Sequence, residues 1–243
     1  MLLQWRDEIV VSLAPRRIHL QRMRRGLHRA CIAETTRTID SVTLDWRPAL
    51  AMLQSLLTEA EWSHANARVI ISNAWARYAI TPWSSELTTE DERRAHARIC
   101  LSEIYGATGP EWHVCLSDSR AGHTRVACAL PESLLTELRA RLQECGLRLL
   151  SAEPALTAAY NRCRAQLPDD AGWFVNIEDG ALAAVRLVPD GWDRVYTARI
   201  GRDWDTELAR LRVFAKATLD GTTDWKVYVD APAGSGRMVS LPA

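Results

Sequence analysis

The chain has 243 residues, 47% of them apolar and 25% charged, the balance of a folded globular protein rather than a disordered or collagen-like one. Thirty basic side chains meet thirty acidic ones, so the net charge is +0 and non-specific nucleic-acid binding by the whole chain is excluded. No run approaches the roughly 18 apolar residues of a membrane span, and Arg6, Asp7 and Glu8 come too early for a signal peptide. The six cysteines include no Cys-x-x-Cys pair and read as free thiols, so a cytoplasmic location is expected.

Along the chain, Ile9–Leu13 is a β-branched run stopped by Ala14-Pro15. Ile18 to Met23 alternates, Arg24-Arg25-Gly26 is a turn, and 29–36 continues an antiparallel meander. A helix is predicted from Trp46 to Trp62, with Asp45 as N-cap and Leu50, Leu53, Leu56, Leu57 and Ala60 inward. Arg68–Ser72 is a buried strand of the parallel type. Thr89 with Glu92 is a capping box that opens a helix through Tyr105. A hairpin over 112–117 and 124–130 follows, then a helix from Pro131 with Leu134, Leu135, Leu138 and Leu142 on one face, stopped at Gly146. Leu147–Leu150 is a strand and Glu153–Arg164 a helix. Pro168–Gly172 is a linker. Beyond it come strands Trp173–Ile177, Ala181–Val188 and Arg194–Ile200, a helix from Asp203 to Ala217 and a strand Lys226–Val229. The order β-β-β-α-β thus occurs twice.

That doubled order is the plan of the actin/Hsp70/sugar-kinase fold. Within it the chain resembles PilM of type IV pilus assembly and the cytoplasmic domain of GspL of type II secretion. The resemblance is spread over Ile9–Leu20, Arg68–Trp83, Val126–Gly146, Glu153–Asn161 and Val175–Arg202, with Ala129-Leu130-Pro131-Glu132-Ser133 and Glu153-Pro154-Ala155-Leu156 in the inserted small subdomain. It implies an α/β, actin-like chain: a first subdomain over 1–83, an inserted α/β subdomain over 84–150, a connecting helix and linker over 151–171 and a second actin-like subdomain over 172–243. The sequence shows no membrane helix of the secretion-protein kind after its last strand, so a free-standing member or an excised domain is expected.

Active members of this fold hold nucleotide phosphates with two Asp-x-Gly turns, because Asp positions Mg²⁺ through water and Gly lets backbone N–H groups approach an oxyanion. In this sequence Ser12 falls at the first Asp position, with Ala14 and Pro15 at the glycine and the next donor. Proline has no N–H to give. Asn176 takes the second Asp position and Glu178 its glycine position; Gly180 survives. Ala231 stands where an adenine-side Gly-Gly is expected, with Gly234 and Gly236 further on. Three degraded loops predict no nucleotide cofactor, no metal and no catalytic residue. An actin-fold ATPase or kinase with divergent phosphate loops is the rival, and it would need Asp7, Asp40 or Asp179 on Mg²⁺.

The resemblance implies a non-catalytic scaffold, peripheral to the inner membrane through its partners. Those partners would be a bitopic inner-membrane assembly protein, the secretion or pilus ATPase and a second copy of the chain, with no nucleic acid among them. The contact residues expected are Arg16, Arg17, Arg24 and Arg25 on the first hairpin, facing a partner or anionic lipid, and Trp75 and Trp83. His113 with Cys115 and Cys128, His96 with Cys100, Ser72-Asn73 and Ser117-Asp118-Ser119 read as ordinary structure.

Overall fold

The computed structural model describes residues 6–24, 26, 30–40, 43–106, 111–167, 172–189, 191–201, 204–218 and 226–231. In chain order the elements are β1 Glu8–Leu13, β2 Arg17–Arg24, β3 Ala30–Thr38, α1 Arg47–Leu57, β4 Asn66–Ile71, β5 Arg77–Thr81, α2 Glu90–Tyr105, β6 Trp112–Leu116 and β7 Arg125–Pro131. Then come α3 Glu132–Glu144, β8 Arg148–Pro154, α4 Ala155–Cys163, β9 Gly172–Glu178, β10 Ala181–Val188, β11 Gly191–Arg199, α5 Asp205–Thr218 and β12 Lys226–Asp230. Single 3₁₀ turns, Ala60–Trp62 and Arg164–Gln166, follow α1 and α4. The expected linker lies in part outside the described residues, and Arg25, Gly234 and Gly236 lie outside them altogether.

Two compact units form, residues 1–75 with 131–155 and residues 76–130 with 156–243. In the first, the sheet order is β3-β2-β1-β4-β8. β1, β2 and β3 pair antiparallel, and β4 lies parallel to both β1 and β8. β1 buries Ile9, Val11 and Leu13, β4 buries Ala67, Val69 and Ile71, and α1 covers them with Leu50, Leu53, Leu56 and Leu57. α1 starts one residue later than Asp45 predicts. Trp46 is its N-cap, without a side-chain cap bond, and Asp45 Oδ1 accepts the Arg47 N–H at 3.1 Å from outside the helix. Ala60, expected on the buried face, is exposed in the 3₁₀ turn.

α3 buries the four expected leucines and ends at Gly146, φ +71°, with the Leu147 N–H on the Leu142 carbonyl at 2.9 Å and the Gly146 N–H on Gln143 at 2.9 Å. This Schellman pattern needs the left-handed conformation that glycine adopts without strain. The expected 84–150 insert divides differently. β8 joins the first unit's sheet beside β4 and α3 belongs to the same unit, while 76–130 falls in the second. β8 runs on through Glu153 and Pro154, so α4 begins at Ala155 rather than Glu153.

The second unit holds two sheets. One, β11-β10-β9-β12, repeats the first unit's order, with β9, β10 and β11 antiparallel and β12 parallel to β9. Trp173, Val175, Ile177, Leu182, Val227 and Val229 pack with Leu208, Leu211 and Ala215 of α5. The other, β5-β7-β6, is covered by α2 through Ala97 and Leu101 against Ala79, Val114, Ala127 and Ala129. The predicted capping box opens α2: the Glu92 N–H donates to Thr89 Oγ1 at 3.2 Å and Glu92 Oε2 accepts the Thr89 N–H at 2.8 Å.

Candidate functional site

The first phosphate-loop position lies in the β1–β2 turn of the first unit. Leu13 pairs with Ile18, and the Ala14 N–H donates to the Arg17 carbonyl at 3.0 Å, closing the turn on itself. Pro15 is buried and supplies no donor. Of the two amides that should face an oxyanion, one is thus spent inside the turn and the other does not exist. Ser12 sits one residue back, beside Ile70 on β4 and His19 on β2, and has no carboxylate to hold Mg²⁺ through water. Asp7 is 3.0 Å from Arg22 Nε in an ion pair that also commits Arg22.

The second position lies in the second unit. β9 and β12 run parallel with Asn176 beside Asp230. The Asn176 Nδ2 donates to Asp230 Oδ2 at 2.9 Å, and Arg162 Nη2 from α4 donates to both Asp230 oxygens at 2.9 Å. Asn176 is buried at 6% exposure, and the Asp230 side chain is 13% exposed. The group is neutral overall: one carboxylate, one guanidinium, one amide. A phosphate brought to Asn176 would meet the Asp230 carboxylate, and at about 4 Å that repulsion is roughly 1 kcal/mol even at the dielectric of water. Burial raises the neighbouring Cys163 thiol pKa, with Asp230 adding to the rise.

Glu178 pairs with Ala181 across the two-residue turn Asp179-Gly180. Gly180 has φ +94°, and its carbonyl accepts the Ile200 N–H at 3.2 Å. It is the left-handed residue of a hairpin. Asp179 is exposed at this turn and Asp40 just beyond β3. Ala231 packs on the second sheet's core. No local pattern marks Asn176 as held by Asp230 and Arg162; the parallel register of β12 on β9 in the repeated motif is the signal that sets 176 beside 230.

Among the expected contact residues, Arg16, Arg17 and Arg24 are exposed, and Trp83 is 47% exposed. Arg25 lies outside the described residues. Trp75 is buried rather than on a surface: its N–H donates to the Ser72 carbonyl at 3.1 Å and its indole N–H to the Leu44 carbonyl at 2.5 Å. The His96 ring lies 3.8 Å from Cys100 Sγ, and burial raises that thiol's pKa, the opposite of an activated nucleophile. Among the described residues no three His, Cys, Asp or Glu side chains form a metal-binding group, and no helix is long and apolar enough to cross a membrane.

Two mixed sheets, each with three antiparallel strands and a fourth parallel to the first of them, define an actin-like ATPase fold. A Bacteroides thetaiotaomicron protein described as having that fold and unknown function aligns with TM-score 0.62 at 12% identity, over 96% of this chain and 87% of that one. The cytoplasmic domain of EpsL, an inner-membrane component of the type II secretion system of Vibrio cholerae, aligns with TM-score 0.59 at 12% identity, over 93% of this chain and 83% of that one. The PilM-PilN type IV pilus biogenesis complex supplies a match with TM-score 0.65 at 15% identity, over 92% of this chain and 81% of that one. At these identities the likeness is one of fold. No protein-family model matches the chain, and no curated protein sequence does.

Proposed function

We propose that the chain is a non-catalytic scaffold of a bacterial inner-membrane assembly platform, of the type II secretion or type IV pilus kind. The observation that carries this reading is the internal use of both phosphate-loop positions: the Ala14 N–H closes its own turn, and Asn176 is bonded to a carboxylate. The shared fold of the EpsL domain and the PilM-PilN complex gives that loss a context. The scaffold sits on the cytoplasmic side and reaches the membrane through its partners. It binds the cytoplasmic part of a bitopic assembly protein, and the assembly ATPase and a second copy are its further partners. Recognition is by an extended segment, with backbone hydrogen bonds for affinity and side-chain pockets for choice. Arg16, Arg17, Arg24 and Trp83 are the exposed contact candidates.

The test is a thermal scan with and without millimolar Mg-ATP. A nucleotide present at about 100 times its dissociation constant stabilises by roughly 2.7 kcal/mol, about 5–10 °C in midpoint for a chain of this size. The midpoint is expected to stay where it is. A shift of that size overturns the scaffold reading in favour of a nucleotide-binding protein. In a parallel arm, native inner-membrane vesicles are expected to retain the chain, and protease-shaved vesicles to lose it.

A further inference from the structure

The β5–α2 connection, the first half of α2 and the β6–β7 hairpin enclose a cavity of about 150 Å³ in the second unit. Part of its lining is apolar: Pro82, Leu87 and the exposed ring of Trp83. Thr81, Ser84 and Ala121 also line it, and its charged groups are Arg93 from α2, beside His96, and Arg125 from β7. Arg93 Nε lies 3.2 Å from Glu90 Oε2, and Arg125 Nη1 lies 3.9 Å from the same oxygen. Arg94 lies 4.0 Å from Glu90 and closer, at 3.7 Å, to Asp91. With Asp91 serving Arg94, the two guanidiniums that line the cavity share the single Glu90 carboxylate.

The other partners of the two lining arginines are carbonyls. Arg93 donates to Leu87 and Thr88 at 2.9 and 3.1 Å, which fixes its position. Arg125 makes only long bonds, 3.5 Å, to the Ser117 and Ser119 carbonyls. Carbonyls orient a guanidinium without neutralising it. Both side chains are mostly covered, at 27% and 22% exposure, so the uncompensated positive charge is held in place and partly desolvated. A guanidinium fork in that state favours a planar oxyanion above any neutral group.

Volume narrows the ligand. Nucleotides and other cofactor-sized molecules occupy pockets of roughly 300 Å³ or more. Half of that accepts one side chain. The exposed indole, with Pro82 and Leu87, adds an apolar shelf where a residue flanking the anion can stack. We propose that this cavity docks an acidic segment of a partner protein, one Asp or Glu carboxylate entering between Arg93 and Arg125 and the adjoining apolar residue covering Trp83. The inference rests on charge and volume alone and does not depend on the scaffold reading.

The test uses the full chain labelled with ¹⁵N. Ten tryptophans give ten indole N–H signals, and that of Trp83 is the one missing from Trp83→Phe. The probes are acetyl-Pro-Leu-Glu-Leu-Pro-amide, the same peptide with Gln for Glu, and inorganic phosphate, each titrated to millimolar concentration. The Glu peptide is expected to move the Trp83 signal saturably, and the Gln peptide to bind about tenfold more weakly or not at all, as loss of a charge-assisted pair requires. Arg125→Gln is expected to weaken the Glu peptide by a similar factor, with Arg125→Lys intermediate and the other nine indole signals unmoved. An equal response to both peptides, or no saturable response, overturns the proposal. Phosphate moving Trp83 as strongly as the Glu peptide overturns the peptide assignment and leaves a small-anion site.

Discussion

The Asn176 amide donates to the Asp230 carboxylate at 2.9 Å, across two parallel strands and 54 residues of chain. A neutral amide of the shape of aspartate thus sits against a carboxylate as its donor. Restoring the acid with Asn176→Asp removes the donor and sets two carboxylates against each other. Stability at pH 7 is expected to fall by roughly 2 kcal/mol, since a buried like-charge contact replaces a hydrogen bond. The paired carboxyl's folded pKa is then raised above its unfolded value near 4, so the added penalty is absent below that pH and grows as pH rises through the raised value. Urea melts of the variant and the parent at pH 4.5 and 8 check this. The double variant Asn176→Asp with Asp230→Asn exchanges donor and acceptor and is expected to recover most of the loss.

Gly172 opens β9 against the last strand. A Cβ there would lie 2.8 Å from the Lys226 carbonyl oxygen and 3.1 Å from the Tyr228 ring. The carbonyl belongs to the β9–β12 ladder and cannot swing away as a side chain can. Gly172→Ala is expected to cost about 1–3 kcal/mol, read as a lower midpoint in a calorimetric scan.

The Tyr196 hydroxyl donates to Glu207 Oε1 at 2.6 Å. Burial, then the Glu207 carboxylate, push its pKa up to about 12. The unfolded phenol ionises near 10. Its contribution to stability is therefore complete below pH 10 and is lost as pH rises through about 12. The two lysines, Lys216 and Lys226, the other four tyrosines and the six cysteines share the alkaline range, so the Tyr196→Phe difference is what isolates this group. Chemical denaturation at pH 9 and 11 is expected to show a decline that Tyr196→Phe flattens.

Thr89→Ala removes the N-cap acceptor of α2 and is expected to cost about 1 kcal/mol. Glu92, whose pKa is held below the usual carboxylate range by the Thr89 backbone N–H first, then the Thr89 hydroxyl and Thr88, loses only the hydroxyl's share by this change. A depressed pKa stabilises above the unfolded value and is lost as pH falls through the folded one. The cost measured at pH 7 is expected to shrink at pH 3.

Thr89 and Glu92 also show what the sequence makes legible. A capping box acts within four residues, so its chemistry can be read where it stands, and so can the inward leucines of α3. The repeated β-β-β-α-β order rests on the same kind of local pattern, and it carried the fold. Features joined across long stretches of chain were not legible. β8 pairs with β4 some 80 residues away by position, so a boundary at 150, set from local pattern, lies about 20 residues beyond the unit boundary at 130. Trp75 reads as a surface anchor by composition, but a carbonyl at Leu44 takes its indole N–H. At the candidate site the missing N–H of Pro15 and the neutral amide of Asn176 are properties of single residues and stand in the sequence. The Asp230 and Arg162 partners that fix Asn176 are not legible there.

β3 is nine residues long, pairs only with β2 and is largely exposed on both faces, Ile32 at 41% among them. Deuterium exchange will therefore divide this strand by alternate residues. Amides turned toward β2 are slowed by the ladder, and those turned outward exchange at nearly the rate of a free peptide. β3 can lift away while β1 keeps its parallel register with β4. The turn that carries Ala14 and Pro15 lies between β1 and β2, inside the more slowly opening part of the sheet. Isotope uptake should spread inward from β3 and reach the strand leading to that turn last.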